Sequence, residues 1–261
     1  MISHNTTAFL ISFFLIFGTG FIIFKRSTIG HDSSVSFTEP VFEETEEYVT
    51  SAHPRLVGLD QWERPPGPWR VALQAGHWRN AEVPEEQKGL RNNSGASGGG
   101  KAEWEINLAL AEEVKLLLEE YGYAVDVLPT TIPPNYWADV FIAIHADGNL
   151  DPSVRGFKVA APRRDYSGQS SLLAQYLYDA YEDATDLPRD PNVTRAMRGY
   201  YAFNWRRYDH SVHPLTPAVI LEVGFLTSPQ DRQIIVQNQT RAAQGIANAV
   251  FRFIHSVYGG A

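Results

Sequence analysis

The sequence predicts a single α/β domain with a mostly parallel sheet, preceded by an N-terminal membrane-spanning helix and a linker. Three observations lead there. Short, near-continuous apolar runs alternate with helical patterns over residues 70–258, the pattern of strands covered on both faces between crossover helices. Residues 5–24 hold no charged side chain. Residues 27–69 carry eight acidic and two basic side chains and end in Arg64-Pro65-Pro66-Gly67-Pro68, a composition that buries little surface. The 261 residues are 44% hydrophobic and 20% charged, which excludes a wholly disordered chain. The ~190 residues beyond the linker are enough for one core.

The centre of the first segment, from Ala8 to Phe24, reads AFLISFFLIFGTGFIIF. About 20 helical residues at 1.5 Å each span a hydrocarbon core of ~30 Å. The alternative, a buried core helix, is set aside because a helix of a water-soluble domain usually shows a polar face. Neither a basic leader nor a small-residue cleavage site marks a signal peptide. An uncleaved transmembrane anchor over 5–24 is therefore expected, followed by an acidic, Pro-rich linker over 25–69.

The domain is expected over 70–258. Strands are predicted at Val71–Gly76, Tyr123–Leu128, Val140–Ile144, Gly156–Ala161 and Ala218–Val223. Helices are predicted at Glu103–Tyr121, with a stripe at Leu110, Val114, Leu117 and Tyr121, and at Ser170–Ala184 and Pro229–Val257, where Ser228 is the N-cap and Pro229 opens the first turn. The formal net charge is −8, without the basic excess of a nucleic-acid footprint, so no nucleic-acid partner is expected. There is no cysteine, so any metal site must use imidazole and carboxylate ligands.

Three predicted strands end in titratable residues: His77, His145 and Glu222. In open α/β sheets, ligands bind beyond the carboxyl ends of the strands, so these side chains are expected on one rim. The stripe of the first helix, extended backwards, reaches Asn107 and then Glu103. A carboxylate there is costly unless something pairs with it, and a divalent cation would do so. Two His and one Glu make a catalytic zinc shell, with Glu222 left to carry a proton from water to a leaving nitrogen. Taken singly, each residue also reads as structure: a polar cap on a strand, a carboxylate at a helix start, or a buried ion-pair partner. The Asn/Gly/Ser-rich segment from Trp78 to Lys101 reads equally as a mobile cleft rim or as a surface loop. The run from Arg198 to Trp205 mixes a cation with aromatics, which suits a sugar-peptide ligand and reads equally as an aromatic core segment. Arg198 is placed to grip a carboxylate and Asn204 to add an amide. His213, in a loop with His210, is a further candidate for substrate contact.

The motifs Ala75-Gly76-His77, Gly99-Gly100-Lys101-Ala102-Glu103-Trp104-Glu105-Ile106-Asn107-Leu108, Ile142-Ala143-Ile144-His145-Ala146-Asp147 and Ile220-Leu221-Glu222-Val223-Gly224-Phe225 follow one another along the chain. In that order they resemble the type-3 family of zinc-dependent N-acetylmuramoyl-L-alanine amidases. The resemblance implies His77, Glu103 and His145 as ligands of Zn2+ and Glu222 as the catalytic carboxylate. It implies hydrolysis of the amide between the lactyl group of N-acetylmuramic acid and L-alanine in peptidoglycan, on a twisted, mixed sheet with helices on both faces. Two departures stand out: Trp78-Arg79-Asn80 replaces the usual Gly-rich stretch, and Trp104 stands where a Lys is common. Two other readings fit the same motifs, a non-catalytic peptidoglycan-binding or regulatory module and a zinc hydrolase of another amide. No wall-binding repeat and no protein activator can be named. The implied substrate lies outside the cytoplasm. Lys25 and Arg26, following the apolar segment, favour the opposite orientation under the positive-inside rule. The expectation is a membrane-anchored chain with an extracytoplasmic catalytic domain.

Overall fold

A computed structural model describes residues 53–259. Five strands, β1 (Arg70–Ala75), β4 (Ala124–Leu128), β5 (Val140–Asp147), β6 (Lys158–Ala160) and β7 (Ala218–Phe225), form one sheet in the order β4-β1-β5-β7-β6. The β4, β1, β5 and β7 strands run parallel and β6 pairs antiparallel to β7. The sheet is therefore mixed, with its one reversed strand at an edge. A two-residue ladder, β2 (Ser97–Gly98) with β3 (Lys101–Ala102), stands apart.

The three long helices, α1 (Glu103–Glu120), α2 (Ser170–Thr185) and α5 (Gln239–Tyr258), share one face of the sheet. Their buried stripes (Ile106, Leu110 and Val114; Leu173 and Leu177; Ile246, Val250 and Phe253) pack on Val71, Leu73, Ile142, Ile144, Val219 and Leu221. Within α1 the apolar stripe ends on Leu118, and Tyr121 is exposed beyond the helix. The other face is smaller. Ala72, Phe141, Ala143 and Ile220 are covered there by Ile132, Tyr136, Met197, Phe203 and Val212. These come from irregular segments, with α3 (Arg195–Arg198) the one α-helix among them. The helical cover expected on both faces is thus reduced here to a single turn. The covering segments carry Pro129, Pro133, Pro134, Pro188, Pro191, Pro214 and Pro217, which deny a longer helix its backbone donors. The predicted helix over 229–257 divides into α4 (Pro229–Ile235) and α5, broken at Val236–Asn238.

One expectation is corrected. Among the described residues no helix is long and apolar enough to cross a membrane, so the fold described is a single α/β domain, without the membrane-spanning helix expected before it. The segment 5–24 to which that helix was assigned lies outside the described residues. Residues 53–69, expected to be linker, run along the domain. Arg64 donates from Nε and Nη2 to the buried carboxylate of Asp139 at 2.7 and 2.9 Å, and its guanidinium lies 4.1 Å from the centroid of Trp69.

Candidate metal centre

Side chains alternate across a strand. With Leu73, Ile144 and Leu221 committed to the helical face, Gln74, His145 and Glu222 point to the opposite one. His145 and Glu222 are register partners on adjacent strands. Neither lies past a strand end, because β5 and β7 both continue for further residues. A β-bulge just after His145 loosens the ladder at the rim. His77 follows β1 with φ +63°, a left-handed conformation that turns its ring back over the sheet edge. Gly76 must be glycine at this point, since a Cβ there would enter the His145 ring.

Glu103 comes from the other face. It opens α1, where its carboxylate reaches over the rim. Its Oε1 lies 3.0 Å from Nδ1 of His145 and 3.4 Å from Nε2 of His77, and accepts from the Ala146 N–H at 3.1 Å. Its Oε2 accepts from the Ala96 N–H at 2.7 Å. Gly95, at φ +71°, leaves room for this carboxylate, which any Cβ would strike. Ligand atoms of His77, Glu103 and His145 all lie within 4.8 Å of one another, a group able to hold a metal ion. Metal bonds of about 2.0 Å at tetrahedral angles place ligand atoms roughly 3.3 Å apart, and the two spacings to Glu103 fall on either side of that.

The hydrogen bonds around the two imidazoles have a direction, read from groups whose role is fixed. The Thr130 carbonyl accepts from Nε2 of Gln74 at 2.6 Å and from the Tyr201 hydroxyl at 2.7 Å. Gln74 therefore presents Oε1 to the Tyr200 hydroxyl, which donates to it at 3.0 Å. Burial holds the Tyr200 phenol well above its ordinary pKa, so that proton stays in place. Its oxygen is left to accept from Nε2–H of His145 at 2.9 Å. With Nε2 protonated, Nδ1 of a neutral His145 faces Glu103 with its lone pair. His77 mirrors this through its other nitrogen: Nδ1–H donates to the Asn93 carbonyl at 2.9 Å, leaving Nε2 toward Glu103. Both rings are turned as metal ligands with outer acceptors are turned.

The charges are coupled. Burial pushes His77 down, against the pull of Glu103. Burial would also lower His145, but the hydrogen bond and charge of Glu103, helped by Glu222 and Asp147, hold it above its usual value. Glu103 itself stays below the usual carboxylate range, because His145 and His77 outweigh its burial. Burial pushes the Glu222 carboxyl up to about 7, with Glu103 and Asp147 adding repulsion against the pull of His145 and Lys158. Two cavities meet at these groups. One of about 440 Å³ is lined by His77, Asn93, His145, Tyr200, Tyr201 and Glu222 among others. The other, of about 290 Å³, adds Glu103 and Asp147.

A sequence profile described as N-acetylmuramoyl-L-alanine amidase matches residues 71–252. The chain belongs to the type-3 N-acetylmuramoyl-L-alanine amidase family. Among curated proteins, the N-acetylmuramoyl-L-alanine amidase AmiA of Salmonella typhimurium is 25% identical over 211 residues, covering 62% of this chain and 72% of that protein. Among solved structures, the amidase Ami1 of Mycobacterium smegmatis superposes with a TM-score of 0.53 at 20% identity, covering 72% of this chain and 97% of that one. An amidase from Clostridium difficile 630 gives a TM-score of 0.52 at 18% identity, covering 74% and 100%. The two superpositions bear on the fold alone.

In this amidase the remaining predicted residues part company. Arg198 and Asn204 line a separate cavity of about 120 Å³ that shares Gly199 and Tyr200 with the larger one. His213 is not brought to the metal centre. It is buried, its ring stacks on Trp62 at 5.2 Å, its Nδ1 accepts from the Leu215 N–H, and it lines neither cavity. A Pro-flanked loop histidine has been drawn into packing. Sequence reasoning missed Gln74, whose one signal is a glutamine inside an apolar strand, and singled out Tyr200 and Tyr201 only within the Arg198–Trp205 run, not as partners behind His145. It also missed the wall of the cleft. Glu86 accepts from the Asp209 and His210 N–H groups and faces Nδ1 of His210 at 2.7 Å. The segment after His77 is thereby pinned to the loop that carries His213.

Proposed function

We propose that this amidase is a zinc enzyme that cleaves the amide between N-acetylmuramic acid and L-alanine of peptidoglycan, with His77, Glu103 and His145 holding the metal and Glu222 moving the proton. The observation that carries the reading is the convergence of two imidazoles and a carboxylate beside a second, independent carboxyl. The donor set suits zinc: two nitrogens and one oxygen, each imidazole oriented from behind, in a chain without thiolates. When bound there, zinc supplies Lewis acidity that polarises an amide carbonyl and makes water more acidic.

The chain's own residues do the rest. Glu222, poised near neutrality, takes a proton from the attacking water as the oxygen adds to the carbonyl carbon. It returns that proton to the amide nitrogen as the carbon–nitrogen bond breaks. The products are the lactyl carboxylic acid and the free amine of the peptide. Tyr200, Gln74 and Asn93 hold the two imidazoles in the orientation this requires. Arg198 and Asn204, in the adjoining cavity, face the peptide side of the substrate. Because peptidoglycan lies outside the cytoplasm, the reading puts the catalytic domain there.

The test is a digest of purified peptidoglycan with the zinc-loaded protein and product identification by mass spectrometry. Release of stem peptides with a free L-alanine amine is expected, and loss of that release in Glu222→Gln with metal content unchanged. Wall binding that survives a chelator, with no peptide released by the wild type, would overturn the catalytic reading in favour of a binding module. Cleavage at a different amide would overturn the substrate.

A further inference from the structure

A cavity beside the candidate metal centre carries three arginines in its lining and no acid. Elsewhere in the domain, several arginines meet acids: Arg55 faces Asp209, Arg64 Asp139, Arg155 Asp231, Arg189 Asp179 and Glu182, and Arg241 Asp186. Arg163, Arg164, Arg195 and Arg198 have neither an ion pair nor a side-chain hydrogen bond among the described residues. Chain connectivity and one backbone contact gather them. Arg195 and Arg198 sit on the same turn of α3, and the Arg163 N–H donates to the Arg198 carbonyl at 2.9 Å. Arg163, Arg164 and Arg198 line the 120 Å³ cavity with Pro162, Tyr200 and Asn204, and no acidic residue lines it. Like charges held together in a chain of net charge −8 repel one another unless an anion sits among them. The planar, forked guanidinium suits a carboxylate in particular.

Position selects the anion. Tyr200 borders this cavity and also puts its hydroxyl 2.9 Å from Nε2 of His145. One tyrosine side chain thus borders both the cations and the candidate metal centre. A stem peptide carries its free carboxylates on the side of the scissile bond that leaves as the amine. Resting on the amidase reading above, we propose that Arg163, Arg164 and Arg198 form a carboxylate subsite for the stem peptide, so that the enzyme selects peptides with free acids over peptides whose acids are amidated.

The experiment uses the full chain loaded with zinc and two soluble muropeptides that differ only in amidation of the peptide carboxylates. The free acid should be cleaved with a 10- to 100-fold higher kcat/KM, expressed mainly in KM and shrinking as salt is raised. In the triple variant Arg163→Gln, Arg164→Gln, Arg198→Gln the ratio between the two substrates should fall toward one. Arg198→Lys should give an intermediate ratio. Equal cleavage of both substrates by the wild type overturns the subsite and leaves the amidase reading intact. If neither substrate is cleaved, the amidase reading fails. The subsite is then decided by equilibrium binding of the two free peptides to the zinc-loaded wild type, and equal affinity overturns it. A peptide-free polyanion that competes as strongly as the acidic peptide would also overturn it, marking a general anionic surface.

Discussion

Replacing Tyr200 with phenylalanine removes one oxygen from behind the metal centre and little else. The ring stays, edge-on to His145 with centroids 5.3 Å apart, so packing is preserved. Its hydrogen-bond contacts disappear: Nε2–H of His145 loses its acceptor, Oε1 of Gln74 loses its donor, and the 3.0 Å contact with the Tyr201 hydroxyl is lost. Gln74 is fully buried, and a buried polar atom left unsatisfied costs ~1–3 kcal/mol. Part of that falls on overall stability. The part that falls on the metal is the freedom given back to His145, whose ring no longer has a reason to present Nδ1 to Glu103. Loss of such an outer partner lowers metal affinity 10- to 100-fold as an order of magnitude, equivalent to ~1.4–2.8 kcal/mol. Competition with a chromophoric zinc chelator at neutral pH measures it directly, and nitrogen-15 shifts of the histidine rings report the tautomer. Tyr201→Phe should lose less affinity, because the Tyr201 hydroxyl reaches His145 only through Tyr200 and Gln74. Zinc affinity within twofold of wild type in Tyr200→Phe would refute the argument that these hydrogen bonds set the ring.

Other consequences are open to measurement. Gly95→Ala places a methyl against the Glu103 carboxylate from a backbone at φ +71°; at least a tenfold loss of zinc affinity is expected by chelator titration, and wild-type affinity would contradict the close approach. The raised Glu222 burdens the metal-free fold only when ionised, so that burden is absent below the ordinary carboxylate range, grows as pH rises, and is complete above about 7. At 1.36 kcal/mol per tenfold this is ~3 kcal/mol, discounted to about 2 kcal/mol for a group that solvent still reaches. Metal-free Glu222→Gln should therefore outlast wild type in thermal unfolding by that margin at pH 8 and by much less at pH 5, and a gap independent of pH would refute the assignment. A bound dication favours the carboxylate and pulls this group down again, so the zinc-loaded wild type should show falling kcat/KM on an acidic limb that lies below pH 7. Asp139→Ala strips the partner from Arg64 and from the Arg70 N–H; loss of about 3 kcal/mol in denaturant unfolding is expected, and loss below 1 kcal/mol would show that residues 53–69 hold on by other means.

Much of the candidate site was legible because strands announce themselves locally. VALQAG, VFIAI and AVILEV are apolar runs whose lengths and stops can be read without neighbours, and they carry His77, His145 and Glu222. Glu103 was legible because a helix period can be extended backwards. What could not be read depends on register and on irregular chain. Gln74, His145 and Glu222 share a face only once β1, β5 and β7 are aligned, and no local pattern gives that alignment. Tyr200 and Tyr201 lie in a segment with neither period, so their aromatic run read equally as core or as ligand surface. His213 was misjudged because Trp62, its stacking partner, comes from residues expected to be linker. The break between α4 and α5 is set by three residues that a helical period passes over.

The register that pairs His145 with Glu222 makes the proposed ligand and proton carrier part of the sheet, whereas the cleft walls hang from loops: Trp78–Asn93 on one side, 186–217 on the other. Lengthening a loop leaves the ladder untouched, but inserting a single residue within β5 or β7 would turn His145 or Glu222 through the sheet. Over generations, then, diversity can accumulate in what the cleft admits without disturbing the pair of side chains fixed by the ladder.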